Sequence, residues 1–271
     1  MANILQDRYS KLVLQKMRAS LVTKDHVIFN TRYEGSPTAG AVKIPTRGEA
    51  SVGDYNKATG AELNTVDTSY ITMTITKDKY VNEVIDKYDA AAVPDGILAD
   101  RLDSAGYGLA AAMDNDGVAE LVKSGTVSEN KTASTKSTAY DNIVDARTAL
   151  SNAKVSVTNR YLLVSPSFYS LILKNSEFIK ASDLGQKILE TGAIGQIAGF
   201  NVYECYNLGV GVEFVAGHPD CATRANEFAV PVYVKDLTND SKFIGACAVS
   251  GRMVYDHKVT HAEGIYVKKS A

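Results

Sequence analysis

The stretch Tyr70-Ile71-Thr72-Met73-Thr74-Ile75-Thr76 is the clearest periodic signal in this chain of 271 residues. Its apolar residues alternate with threonines, and a period of two is typical of a β-strand with one apolar and one polar face. Upstream, Val42 and Ile44 alternate with Ala41 and Lys43 in the same way. The two segments are therefore predicted to pair as the arms of a long two-stranded loop.

The length of this loop has consequences. A run from residue 36 to residue 76, folded back on itself, has arms of about 20 residues and could reach about 65 Å at about 3.3 Å per residue. A compact chain of this length has a diameter of about 50 Å. An isolated two-stranded ribbon is marginally stable in water, so an overhanging ribbon would need another chain to lie on. The alternative is that the segment folds back as ordinary surface loops.

The composition excludes several classes of protein. Apolar residues make up 45% and charged residues 22% of the chain, and the formal net charge is −2, so no strong field attracts nucleic acid. No apolar stretch approaches the roughly 18 residues of a membrane helix, and the N-terminus lacks the apolar core of a signal peptide. The three cysteines are widely spaced, which argues against a disulfide framework. These features predict a soluble intracellular protein.

Three helices are predicted from apolar spacing. The first is amphipathic and covers residues 3–19. The second is long and follows Pro94, with an apolar stripe that ends before the sequence Asp114-Asn115-Asp116-Gly117, which is predicted to break it. The third opens near Ser137 or Thr138 and directs Ile143, Ala146 and Leu150 inward.

The second half of the chain reads mainly as strands. Tyr161–Val164 is apolar throughout, as expected of a strand buried on both faces, and Ser165-Pro166 then supplies a helix cap and a first-turn proline. An irregular helical passage is expected at residues 175–187. Pro231 marks its strand as an edge or bulged strand. The predicted strands are 200–205, 228–234, 243–249, 253–259 and 265–268, which with the helices give an α+β class.

Candidate reactive groups do not form a site. His218 and Cys221 lie three apart without a second pair of zinc ligands, and His257 and His261 lie four apart in a predicted strand. Both groupings are interpreted as surface or interface residues. Ser165 follows a strand and precedes a helix but lacks the flanking glycines of a nucleophile elbow.

Two further motifs fail on spacing. Counting from Asp114, the calcium-loop positions that need glycine and glutamate hold Ala119 and Gly125. The glycines at 192, 195 and 199 precede a strand, whereas a dinucleotide fingerprint follows one. The sequence therefore predicts no enzyme activity, with no catalytic, cofactor-binding or metal-binding residue.

Three passages resemble the major capsid protein of tailed bacteriophages, whose shell fold is shared with encapsulins. Val42-Lys43-Ile44-Pro45, Gly53-Asp54-Tyr55 and Lys77-Asp78-Lys79-Tyr80 resemble the extended loop and its exit in that family. Residues 161–171 resemble its central strand and helix. The most specific passage, residues 192–202, reads Gly-Ala-Ile-Gly-Gln-Ile-Ala-Gly-Phe-Asn-Val and is similar to a family pattern.

The resemblance covers nearly the whole chain and implies the domain organisation of that shell fold. It implies an N-terminal arm at residues 1–35 and an extended β-hairpin loop at 36–80, with the long helix as a spine. A peripheral domain would combine residues 81–155 with 243–271, and an axial domain would occupy 156–242.

The resemblance also implies a function. The chain would be a structural protein of the virion that self-assembles through pentamers and hexamers into an icosahedral shell in the host bacterial cytoplasm. The shell would enclose double-stranded DNA without sequence preference. A separate scaffolding protein and a portal are the expected partners, and no membrane is expected. The residues expected to contact neighbouring subunits are Ile44, Tyr55, Ile71, Met73 and Ile75.

Three alternatives stay open on the sequence. An encapsulin-type compartment has the same shell fold and holds protein cargo. A soluble α/β enzyme with an unrecognised site would form a small discrete oligomer. A tail or tube subunit would form open helical polymers instead of closed shells.

Overall fold

The computed structural model describes residues 16–23, 27–33, 40–61, 63, 65–92, 96–175, 195–238 and 242–270. Within these residues the helices are α1 (Lys87–Ala92), α2 (Ile97–Ser124), α3 (Ala139–Asn152) and α4 (Pro166–Leu173). The strands are β1 (Ala41–Arg47), β2 (Thr68–Thr74), β3 (Lys77–Asp86), β4 (Thr126–Val127), β5 (Tyr161–Val164), β6 (Gln196–Ile197), β7 (Phe200–Glu204), β8 (Val212–Gly217), β9 (Ala222–Asp236), β10 (Ala246–Val259) and β11 (Ile265–Lys269). The α+β class is confirmed.

The predicted hairpin forms as a separate two-stranded sheet. β1 and β2 are antiparallel, with Ile44 opposite Ile71 and Val42 opposite Met73. The predicted apolar faces of the two strands therefore coincide, because directly opposed residues point to the same side of a sheet.

A three-stranded antiparallel sheet in the order β3-β10-β9 supports α2 on one face. Ile85, Cys247 and Val249 point toward the helix and pack around Ala105. Between the pairs Ser250–Tyr233 and Arg252–Val230 the register shifts, so Pro231 and Val232 together oppose Gly251. The prediction that Pro231 lies on an edge or bulged strand is confirmed on both counts.

A six-stranded sheet in the order β4-β11-β8-β5-β7-β6 forms the main core. All four residues of β5 are fully buried, as predicted, and they alternate between two apolar clusters. Leu162 and Val164 face the cluster that contains α3 and α4. Tyr161 and Leu163 face the cluster that contains the second half of α2 and residues 27–29. The sheet is thus covered on both sides, which explains why its central strand has no polar residue.

The helix predictions are confirmed for α3 and α4. Thr138 is the residue before α3, and Ile143, Ala146 and Leu150 are buried as expected. Ser165 caps α4 through a hydrogen bond that the Phe168 amide donates to its Oγ at 3.3 Å.

The predicted break at residues 114–117 is wrong. α2 continues through it for 28 residues, a length of about 42 Å at 1.5 Å per residue. The polar residues serve tertiary contacts: buried Asp114 accepts hydrogen bonds from the Thr23 amide and hydroxyl at 2.7 and 2.8 Å. Gly117 leaves space for Phe29 and His257, since an added Cβ would lie 3.0 Å from each ring.

The sheets do not follow the domain boundaries that the resemblance implied. β9 lies in the predicted axial domain but pairs with β10 of the predicted peripheral domain, whereas β11 of the peripheral domain pairs with axial β8. The division into arm, loop and two domains stays a prediction.

Two helix predictions fall largely outside the described residues, namely residues 3–15 of the amphipathic helix and residues 176–187. The described remainder of the first, residues 16–19, has no regular secondary structure. In the part of the chain that the structure describes, every helix is too short or too polar to cross a membrane.

Candidate assembly surface

The distal part of the hairpin, residues 48–67, is called the loop tip. Each of its described residues is exposed except Gly60, which is half-buried. Four of the exposed side chains are large and apolar, namely Val52, Tyr55, Leu63 and Val66. Scattered exposed apolar residues are normal on a protein surface, but four on one projecting segment make a surface that a partner would cover.

The loop tip contains an ordered turn. The Gly60 amide donates a hydrogen bond to the Asn56 carbonyl at 2.8 Å, and the Ala58 amide donates to Asn56 Oδ1 at 2.8 Å. Gly60 has φ +80°, a left-handed conformation that glycine adopts at little cost. The turn holds the end of the ribbon without help from the core.

The structure separates the five residues expected at subunit contacts. Ile44 and Met73 are only 3% and 1% exposed within the single chain. Ile71 and Ile75 are half-buried. Tyr55 is 71% exposed and lies in the loop tip. Alternation identifies the apolar face of a strand but not what covers it, and contact of Ile44 and Met73 with a neighbouring subunit stays a prediction.

Sequence reasoning missed the other apolar residues of the loop tip. Val52, Leu63 and Val66 stand singly among polar residues and glycines, so no periodic pattern marks them. The available signal was their presence in a segment otherwise suited to turns, where an apolar side chain has no core to enter.

A second candidate surface is the face of the three-stranded sheet turned away from α2, called the open sheet face. Successive side chains point to opposite sides of a strand, so Tyr80 and Val84 of β3 point away from the helix. Both are exposed, as is Tyr233 of β9. These side chains line a hollow of about 470 Å³ together with Val230, Leu237, Phe243 and Arg252.

Arg252, one of the charged residues that line the hollow, is paired within the chain. Arg252 donates to both carboxylate oxygens of Asp78, at 2.9 and 2.5 Å, and lowers the pKa of that carboxyl group. Lys87 lies 2.8 Å from Asp236 and, with Thr238, lowers the pKa of Asp236. The hollow is mixed in character, because Asn82, Lys235 and Ser250 line it beside the aromatic and aliphatic side chains.

The histidines and cysteines have structural roles. His218 and His257 are 7% and 4% exposed, so they do not lie on the surface, whereas His261 is exposed; a place at an interface stays a prediction. His218 Nδ1 accepts a hydrogen bond from the Asp220 amide at 3.2 Å. Burial raises the pKa of the Cys205 and Cys221 thiols to about 11, which disfavours the reactive thiolate. The described residues contain no group of three side chains arranged to bind a metal ion.

Comparison with known proteins identifies the family. A family model described as phage capsid protein matches residues 50–267, which is most of the chain. No curated protein sequence matches.

Solved structures agree with the family match at the level of the fold. The structure of Mycobacterium phage Che8 aligns with a TM-score of 0.83 and 23% identity over 98% of this chain and 97% of that one. The capsid structure of cyanophage P-SCSP1u aligns with a TM-score of 0.82 and 13% identity over 98% and 93%. The capsid of the native GTA particle gives a TM-score of 0.67 and 13% identity over 98% and 95%. The chain belongs to the phage capsid protein family, and it is therefore a structural protein of the virion shell and not an enzyme.

Proposed function

We propose that this chain is the major capsid subunit that assembles into a closed icosahedral shell around double-stranded DNA. The exposure of the loop tip is the observation that carries the proposal. A segment with four large apolar side chains in water, attached to a core that is complete without it, favours burial against another copy.

The open sheet face is the surface we assign to receive the loop tip. It presents the exposed side chains of Tyr80, Val84 and Tyr233, and it lies on a different part of the molecule. A contact between two different surfaces of identical subunits is heterologous, and repeated heterologous contacts close into rings when the rotation allows it. Rings of five and six subunits are the units from which an icosahedral shell is built.

Each such contact need not be strong. Burial contributes about 25 cal/mol for each Å² of apolar surface removed from water, and each subunit in a ring uses its loop tip and its open sheet face at once. Simultaneous contacts hold a subunit far more firmly than one contact does. Modest contacts also let misplaced subunits leave during assembly.

The charge of the chain fits a container and not a nucleic-acid binder. With a formal net charge of −2, the subunit cannot neutralise many phosphates, so DNA would be confined by the wall. We include in the proposal assembly in the bacterial cytoplasm with a scaffolding protein and a portal, and Ile71, Ile75 and Tyr55 as inter-subunit contacts.

The test uses paired substitutions of exposed valine and leucine. The variant V52D/L63D places two charges on the loop tip, and V157D/V210D places two charges on exposed positions outside both proposed surfaces. Electron microscopy and sedimentation should show closed particles for the control and folded, unassembled subunits for the loop-tip variant. Normal particles from the loop-tip variant would refute the assigned contact.

A mixing experiment tests whether the contact is heterologous. Tyr80→Asp disables the open sheet face, and V52D/L63D disables the loop tip. A mixture of the two variants retains one functional contact per pair, so it should form small oligomers but no shells. The contents of wild-type particles decide the cargo: double-stranded DNA supports the proposal, whereas protein cargo without nucleic acid supports the encapsulin-type alternative.

A further inference from the structure

We propose that residues 16–19 form an ionic strap that holds the N-terminal segment along α2 and releases it as the salt concentration rises. The buried hydrogen bonds between Thr23 and Asp114, called the clasp, keep the chain attached. The inference rests on contacts within one chain and is independent of the proposed function.

Four contacts place the segment along the helix. Lys16 Nζ lies 2.7 Å from Asp100 Oδ2, and Arg18 Nη2 lies 2.6 Å from Asp103 Oδ2. In the third contact, the Tyr107 hydroxyl donates a hydrogen bond to the Ala19 carbonyl at 3.1 Å. The fourth joins Thr23 to Asp114.

The order of these contacts defines the path of the segment. From Lys16 to Thr23 the chain advances seven residues, or about 23 Å if extended. From Asp100 to Asp114 the helix advances 14 residues, or about 21 Å. The two lengths are similar, so the chain from Lys16 follows α2 in the same direction until it bends at Val22 and Thr23.

The strap is held by exposed charges. The four side chains of its two ion pairs are between 27% and 66% exposed. Met17 lies between the two cations and is fully exposed, so the strap buries no large apolar side chain of its own. Arg18 also lies over the Tyr107 ring at 4.8 Å. Ion pairs in contact with water weaken as salt screens them.

The clasp is held differently. Thr23 and Asp114 are each 1% exposed. Asp114 also accepts a hydrogen bond from Asn207 Nδ2 at 3.1 Å, and the Thr23 carbonyl accepts one from Arg224 Nη1 at 2.9 Å. Buried groups are screened much less than exposed ones. Rising salt should therefore detach the strap and leave the clasp closed, so that the chain before residue 20 becomes available to other contacts.

Trypsin, which cleaves after lysine and arginine, provides the test on the full-length chain. Mass spectrometry would follow the fragments that begin at Met17 and Ala19 at about 20 mM and about 500 mM salt, conditions between which the screening length falls several-fold. Cleavage after Lys57 in the loop tip corrects for the effect of salt on the protease. Sedimentation would confirm the same oligomeric state at both concentrations.

We expect cleavage after Lys16 and Arg18 to accelerate at least five-fold at high salt, relative to cleavage after Lys57. A ratio that does not change with salt would overturn the proposal.

Charge variants test the same contact at low salt. Asp103→Lys should raise cleavage after Lys16 several-fold, whereas Asp145→Lys, at an exposed position of α3, should not. The double variant R18E/D103R restores the pair with reversed charges and should restore protection at Lys16. If Asp103→Lys behaves like Asp145→Lys, or if the double variant is cleaved as fast as Asp103→Lys, the strap does not depend on this ion pair.

Discussion

The six-stranded sheet and the loop tip use the same kinds of apolar residue in opposite ways. In β5 every side chain is fully buried between two clusters of its own chain. In the loop tip, Val52 and Leu63, of similar size, are almost fully exposed. The sheet therefore completes its folding within one subunit, whereas the proposed function has another subunit remove the apolar surface of the loop tip from water. The contrast suggests that folding and assembly depend on different residues. Substitutions in each region can test whether the two processes are independent.

The largest effect is expected in the sheet. Phe214 is fully buried and contacts the Phe168 ring at a centroid distance of 4.9 Å. Phe214→Ala should lower the free energy of unfolding by about 3–5 kcal/mol because it leaves a cavity. Val52→Ala in the loop tip should change it by less than about 0.5 kcal/mol. Denaturant unfolding of both variants checks the difference, and comparable losses would show that the loop tip is part of the folded core.

The next effect concerns acid stability at the junction of α2, β9 and β10. Burial, reinforced by nearby Arg224, lowers the pKa of His257 to about 4 from 6.5. As the pH falls from about 6.5 to 4, the unfolded chain binds a proton at this position and the folded chain does not. Stability is therefore lost over that window, by up to about 3 kcal/mol, and is regained as the pH rises.

A non-titrating variant isolates this contribution from that of the carboxylates. The difference in unfolding free energy between wild type and His257→Phe should change by up to about 3 kcal/mol between pH 7 and pH 4. A constant difference for His257→Phe would mean that His257 accepts its proton in the folded state.

Alanine substitutions at two glycines of α2 should change the stability of the protein by smaller amounts and in opposite directions. Gly117→Ala would place a Cβ 3.0 Å from both Phe29 and His257, and overpacking of this kind costs about 1–3 kcal/mol. An alanine at Gly108 would meet no atom within 4 Å and should stabilise α2 by up to about 1 kcal/mol. Thermal unfolding midpoints should move in opposite directions. If Gly117→Ala is neutral, the helix is not held closely against residues 27–30.

The sequence predicted best those elements whose pattern is set by neighbours in the chain. The pairing of β1 with β2 followed from alternation, and the start of α4 followed from the cap at Ser165. The residues 114–117 were misread because their polarity reflects distant contacts with Thr23 and with His257. β8 was not identified, since Glu213 is its only polar residue and it follows a glycine-rich turn, so no alternation marks it.

The candidate site was predicted only as a region. The sequence pointed to the extended loop, and the loop tip is exposed as that interpretation requires. It also selected Ile44 and Met73, which the chain buries itself. Periodicity shows which side chains share a face, but whether that face meets its own chain or a neighbour depends on packing that no local pattern encodes.

The smallest expected effect tests whether the order of the loop tip matters for assembly alone. Gly60 has φ +80°, so Gly60→Ala would strain the turn by about 1 kcal/mol, whereas Gly53 has no such φ and an open site for a Cβ. Because the turn lies outside the core, Gly60→Ala should lower the free energy of global unfolding by no more than this strain. If a preformed turn binds the neighbouring subunit, about 1 kcal/mol per contact should raise the subunit concentration needed for assembly about five-fold. Light scattering across a concentration series, with Gly53→Ala as the control, measures that shift. Equal thresholds for the two variants would mean that the loop tip acquires its shape only on the neighbour and that its order in the single chain contributes nothing to assembly.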